Sequence, residues 1–166
     1  VNILVEGTND TIKLRKLQYF FSTIDAKGFG PKVVQKLFDA NFNSIETVMK
    51  MKPKDYLTIE SFKEKTAENL TISLKESLTN ISLEKLMSAS NIFGSGFGQK
   101  RIKTILLVYP NLLTDYKKWK KDNFLEKIMD IDGFDTVTAT KFVNNFKDYI
   151  KFHKFIKKYI KIKKVK

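Results

Sequence analysis

Six of the seven glycines of this chain fall in three short turns, Gly28-Phe29-Gly30, Gly94-Ser95-Gly96-Phe97-Gly98 and Gly133-Phe134-Asp135. A degenerate fourth turn, Ser61-Phe62-Lys63, fills the gap between the first two. Counted from the first position of each x-Phe-x triplet, the turns begin at residues 28, 61, 96 and 133, a period in the range of stacked helical units. Such regularity constrains a chain more than any single motif, because each unit must bury its apolar face against a neighbour.

Between the turns the apolar residues keep helical spacing. Leu14, Leu17, Phe20, Phe21 and Ile24 form one stripe, which breaks at Lys27-Gly28-Phe29-Gly30, where a helix must end. Pro31 suits the first turn of the next helix, where its missing amide hydrogen has no helical partner in any case, and Val33, Val34, Leu37 and Phe38 supply the buried face. Asn43 and Glu46 have capping-box spacing and start a short helix that the Lys52-Pro53 step closes. Ala67, Leu70, Leu74 and Leu78 follow the second turn, Ile102, Ile105 and Leu106 the third, and Ala139, Phe142, Val143 and Phe146 the fourth. No strand signal interrupts residues 12–160.

The two ends differ. Val1, Ile3 and Val5 alternate before Gly7-Thr8-Asn9-Asp10, which reads as a short strand and turn closing a preceding domain or linker over residues 1–11. At the other end Tyr149, Phe152, Ile156 and Tyr159 share a helical stripe, and Ile160, Ile162 and Val165 then interleave with lysines as a helix passing into a strand. Either a further domain beginning past Lys166 or a frayed tail accounts for that ending. The expected fold is all-α: four helix-hairpin-helix units in pairs over residues 12–150, short strand-like ends, and a basic connector helix over residues 151–166.

Composition narrows the function. With 42% hydrophobic residues and three prolines the chain is too apolar for disorder, and it holds neither a membrane-length apolar run nor a secretory leader pattern, so an intracellular protein is expected. The absence of cysteine and the single histidine, His153, exclude a disulfide framework, a thiolate zinc site and a histidine-based catalytic pair. Neither a catalytic residue nor a metal ligand is assigned. A net charge of +13 suits a polyanion, although an acidic membrane surface or plain solubility would also fit it. Residues 147–166 carry nine lysines against Asp148 alone. Lysine outnumbers arginine heavily, with only Arg15 and Arg101 of the latter, which points weakly to an AT-rich coding genome. A start at Val1 suggests a piece of a longer protein.

In a helix-hairpin-helix unit the turn glycines permit positive φ and bring main-chain amides near a ligand, while the second helix points its unpaired N-terminal amides the same way. That arrangement suits a phosphate, and a nucleic-acid backbone held there is read without regard to sequence. The phenylalanines between the turn residues, Phe29, Phe62, Phe97 and Phe134, are expected to plug the core and not to stack on bases. The first and third turns keep both glycines and add cations, so Gly28, Gly30 and Lys32, and Gly96, Gly98, Lys100, Arg101 and Lys103, are the stronger phosphate sites. The second turn offers Lys63 and Lys65 without glycine. In the fourth, Asp135 repels phosphate and caps its own helix, leaving that unit a packing role. Lys117, Lys118, Lys120 and Lys121 beside Trp119 read as a solvated face.

Two stretches carry a resemblance. Ile24-Asp25-Ala26-Lys27-Gly28-Phe29-Gly30-Pro31-Lys32 and Ile59-Glu60-Ser61-Phe62-Lys63-Glu64-Lys65-Thr66-Ala67-Glu68-Asn69-Leu70 resemble the first two hairpins of the helix-hairpin-helix domain of NAD-dependent DNA ligases, with Glu64 to Leu70 the most specific part. The resemblance covers about residues 12–150 and fits a divergent branch, a virus being one possible source. It implies the non-catalytic, DNA-gripping part of such a ligase in replication or repair, bound to nicked double-stranded DNA beside nucleotidyltransferase and OB domains. It also implies that residues 151–166 resemble a connector to a BRCT domain. NAD and Mg are then expected in the parent ligase, with no cofactor held by these residues. Departures are plain: the family's four-cysteine finger, its K-x-D-G lysine motif and both second-turn glycines are missing. A standalone helix-hairpin-helix accessory subunit of repair or recombination and a helical protein-interaction scaffold are the alternatives.

Overall fold

The first helix, α1 (Asn2–Thr23), runs through the segment whose sequence reads as strand and turn. The computed structural model describes the backbone of residues 2–162 and the side chains of residues 9–160, so Val1 and Val165 lie outside the described residues. The strand reading of residues 1–10 is therefore corrected. A strand without a partner leaves its amides and carbonyls unpaired, whereas each residue added to a helix that is already nucleated closes its own hydrogen bond.

The chain divides into two compact units. The first takes in residues up to Ile81 together with Ile156–Ile162, and the second Ser82–Phe155. In the first unit α1 is followed by α2 (Pro31–Asp39), α3 (Ile45–Met49), α4 (Pro53–Tyr56), α5 (Glu64–Leu78) and the short strand β1 (Thr79–Ile81). The helix α3 is capped by Ser44, whose hydroxyl accepts from the Thr47 amide, and not by the expected Asn43 and Glu46 pair. At the start of α4 the bond runs the other way, with the first-turn Asp55 carboxylate accepting from the Lys52 amide at 2.7 Å. Leu17, Phe20, Phe21, Phe29, Val34, Leu37, Leu70 and Leu74 fill the core, with Phe21 stacked on Phe29 at 4.6 Å. Tyr56 is buried beside them, and burial, with Asp55 as a smaller cause, pushes its hydroxyl up to about 12.

The second unit holds α6 (Leu83–Ala89), α7 (Gln99–Val108), α8 (Leu112–Asp115), a single 3-10 turn (Tyr116–Lys118), α9 (Lys121–Met129) and α10 (Thr136–Ile156). Its core is aromatic: Phe142 stacks on Phe93 at 4.6 Å and also meets Phe97, Phe124 and Phe146. Tyr149 continues the cluster, and its hydroxyl, pushed up by burial, pairs with His153 Nδ1 at 3.0 Å. His153 is thus half-buried in the packing and not on a polar edge.

One strand pair corrects the reading of an uninterrupted helical chain. β1 lies parallel to β2 (Lys161–Ile162), with Thr79 opposite Lys161 and Ile81 opposite Ile162. The strand-like ending thus finds its partner within the chain, and β1 escaped notice because three residues with only Ile81 buried carry too little alternation to register.

All four turns share one geometry. The amide of Phe29, Phe62, Phe97 or Phe134 donates to the carbonyl three residues back, at 3.1–3.4 Å, and the residue before each Phe has positive φ: Gly28 at 87°, Ser61 at 75°, Gly96 at 90° and Gly133 at 90°. This is the type II turn, whose third position favours glycine. Ser61 takes the conformation without glycine's freedom, a cost of about 1–2 kcal/mol, and its hydroxyl accepts from Lys36 Nζ at 2.8 Å. At Gly28 a Cβ would also stand 3.1 Å from Leu70 Cδ2. Gly28→Ala should therefore lose about 1–2 kcal/mol in urea unfolding, and Gly30→Ala, with extended backbone and open space, no more than about 0.5 kcal/mol. Equal losses would overturn that account of the turn.

Candidate nucleic-acid interface

The second helix of each pair starts at the turn. α2 follows Gly30, α5 follows Lys63 and α7 follows Gly98; all three N-cap residues are extended, and none makes a side-chain cap hydrogen bond. Their first-turn amides thus remain open for an anion, at the positive end of the helix dipole. The phenylalanines that anchor these turns are 4–8% exposed, so the rings serve the core and the backbone faces outward.

The fourth hairpin is built alike and closed. Asp135 Oδ1 accepts from the Thr138 amide at 2.8 Å, and this bond above all, with Arg101 as a lesser contributor, holds the Asp135 carboxyl below its ordinary value. A carboxylate occupies the place beside the first helical amides that the other three turns leave open.

The residues expected to bind phosphate are all exposed: Gly28, Gly30, Lys32, Lys63 and Lys65 in the first unit, and Gly96, Gly98, Lys100, Arg101 and Lys103 in the second. Arg101 is shared, for its guanidinium lies 5.7 Å from the Phe134 ring centre and acts on Asp135.

Several contributors escaped the sequence reading. Arg15 and Gln18 on α1 line an open groove together with Lys27, Gly28 and Gly30, so a cation from outside the hairpin stands at the first turn, with Asp25 in the same groove. The signal was present, since 15, 18, 19 and 22 form one polar row of a helix. Lys36 reaches Ser61 and lies 5.6 Å from the Phe62 ring centre, tying α2 to the second turn. In each unit a side chain from the last helix also braces the first turn. Ser73 donates to the Lys27 carbonyl, and Lys141 Nζ donates to the Ser95 carbonyl at 2.9 Å. Lys141 brings a cation against the third turn that the neutral Ser73 does not bring to the first.

Among the described residues no helix is long and apolar enough to cross a membrane, and no group of three or more His, Cys, Asp or Glu could hold a metal.

Comparison with known proteins agrees with this geometry. The family model of the SAM-like helix-hairpin-helix tandem matches residues 22–76, which span the first two hairpins. Over 165 residues, 98% of the chain, the sequence is 40% identical to a protein named DNA ligase from Acanthamoeba polyphaga mimivirus, of which it covers 26%. It is 27% identical over 115 residues to candidate DNA ligase 052L of Invertebrate iridescent virus 3, matching 68% of this chain and 15% of that protein. It is also 27% identical over 134 residues to candidate DNA ligase 205R of Invertebrate iridescent virus 6, matching 80% of this chain and 20% of that protein. The chain thus spans about a quarter or less of the length of these relatives.

Proposed function

We propose, for a chain that belongs to the helix-hairpin-helix domains of viral DNA ligases, that its turns grip the backbone of nicked duplex DNA while other parts of an NAD-dependent ligase perform the chemistry. The observation that carries this reading is the contrast among four turns of one geometry: three leave helix N-termini uncapped beside exposed cations, and one is sealed by Asp135. Gly28, Gly30 and Lys32, then Lys63 and Lys65, then Gly96, Gly98, Lys100, Arg101 and Lys103 form the three phosphate sites, with Arg15 and Lys141 in support. Amides and lysines read charge and spacing and not base edges, so the grip is independent of sequence.

Nucleotidyl transfer, with the NAD and Mg it uses, belongs to a part of the enzyme that carries the K-x-D-G lysine, a motif these residues lack. The role of the present residues is to hold the duplex while the nick is sealed in viral replication or repair, inside the host cell. Residues 12–150 are the gripping domain, residues 1–11 lead into it, and residues 151–166 connect it to a BRCT domain.

A salt titration of binding to nicked and intact duplexes of one sequence tests the reading. Three phosphates neutralised give a slope of log affinity against log salt of about −2.7, at about −0.9 for each. Tighter binding to the nicked duplex is expected. Failure to bind duplex at low salt would overturn the proposal and favour a protein-binding scaffold.

A further inference from the structure

The second unit contains a cavity away from its turns, where the 3-10 turn and the start of α9 face the middle of α10. It measures about 330 Å³, close to the lower end of the range for small-ligand sites, and half-buried Tyr116 and Trp119 supply its accessible aromatic lining, with the buried Phe124 and Phe146 behind them. Lys117, Lys118, Lys120 and Lys121 are exposed, as expected of a solvated face, whereas Trp119 between them is half-buried. Lys127 lies 5.0 Å from its ring centre, and Tyr109 and Phe124 meet it at 5.3 and 5.7 Å. These neighbours set the ring in place before any ligand arrives.

The opening is cationic. Lys117, Lys121 and Lys147 line it together with Asn144, no acidic side chain does, and among the described residues none of the three lysines pairs with a carboxylate. Lys118 is different, since it reaches Asp115 at 3.6 Å. The nine-residue α9 begins here with no side-chain cap on its first amides; Asp122 in its first turn lies outside the lining. Aromatic walls and an anion-seeking rim within one small cavity call for a ligand that carries a flat ring and a negative charge together. A nucleotide has both in one residue, whereas a peptide must bring an acid and an aromatic side chain from separate positions.

We propose that this cavity receives one unstacked nucleotide of a single-stranded or frayed nucleic acid, its base against the aromatic wall and its phosphate among Lys117, Lys121 and Lys147. The inference shares with the proposed function only the class of ligand, for the backbone grip of the turns and this base pocket use different residues. Stacking of this kind tolerates any base, because every base has a π face.

Trp119 is the only tryptophan of the chain and reports directly. With short oligothymidine as the probe at low salt, its fluorescence should be quenched saturably, and thymidine 5′-monophosphate should quench in the same way at higher concentration. The Lys121→Glu/Lys147→Glu double variant, altered at exposed positions, should stay folded by circular dichroism and bind oligothymidine about tenfold more weakly. The Gly30→Asp/Gly98→Asp double variant should keep the quenching in full, which separates this site from the duplex grip. Absence of quenching by oligothymidine would overturn the proposal, as would quenching that survives the lysine variant but not the glycine variant. Quenching by an acidic, aromatic peptide and not by the oligonucleotide would also overturn it and assign the cavity to a protein ligand.

Discussion

In the Gly30→Asp/Gly98→Asp double variant, duplex affinity is expected to fall about tenfold or more at low salt while the melting temperature holds or rises slightly. Both glycines are N-cap residues in extended backbone, at φ −75° and −79°, and a Cβ at either meets nothing within 4 Å. The fourth hairpin shows the outcome: Asp135, in the equivalent place, turns its carboxylate onto the third amide of its helix. Aspartate at 30 or 98 would do the same to the amide of Val33 or Arg101. Relative to glycine this cap adds a few tenths of a kcal/mol, and the unfolded chain loses some freedom as well. Binding suffers twice, because the open amides are taken and a negative charge stands where the phosphate would lie. With two of the three phosphate sites closed, the salt slope should shrink by about 1.8. Unchanged affinity and slope in a folded variant would remove the turns from the interface altogether.

A second large effect is expected in the core. Phe142 is fully buried on α10, stacked on Phe93 and in ring contact with Phe97, Phe124 and Phe146. Phe142→Ala removes the ring on which the others converge and should cost about 3–5 kcal/mol, a large part of the ~5–15 kcal/mol that separates a folded domain from its unfolded chain. Denaturant unfolding followed by Trp119, which lies in the same unit, should show a much lower midpoint. Phe142→Leu, which keeps most of the volume, should recover the greater part. A loss below about 1 kcal/mol would mean that the cluster can collapse around the gap, and that the second unit is held by other packing.

Local signals carried most of the hairpin architecture. The positions of all four turns and the helices after them could be read because positive φ, N-terminal proline and helical apolar spacing are properties of a few adjacent residues. The same holds for Asp135, whose cap spans only three residues. Reading failed where local signals conflicted or were short. Gly7-Thr8-Asn9-Asp10 marks a turn by composition yet lies within α1, and the three residues of β1 are too few to show a period. Ser61 shows a different limit: the turn it occupies was placed, but nothing local announces that a serine would accept φ 75° with a lysine from the preceding helix on its hydroxyl.

By itself the sequence determined the repeat, the helical class, the buried phenylalanines and the places where helix N-termini open to an anion, since each follows from the spacing of residue types along one helix or one turn. Only the tertiary structure decided which side chains meet those turns. Ser73 and Lys141 brace carbonyls 46 residues away, Arg101 divides its charge between the third hairpin and Asp135, and β2, near the end of the chain, finds β1 near its middle. The cavity beside Trp119 belongs to the same class, because its walls come from segments that only packing brings together. Such pairings depend on which apolar faces bury best against one another, a sum over many distant pairs that no short stretch of residues encodes.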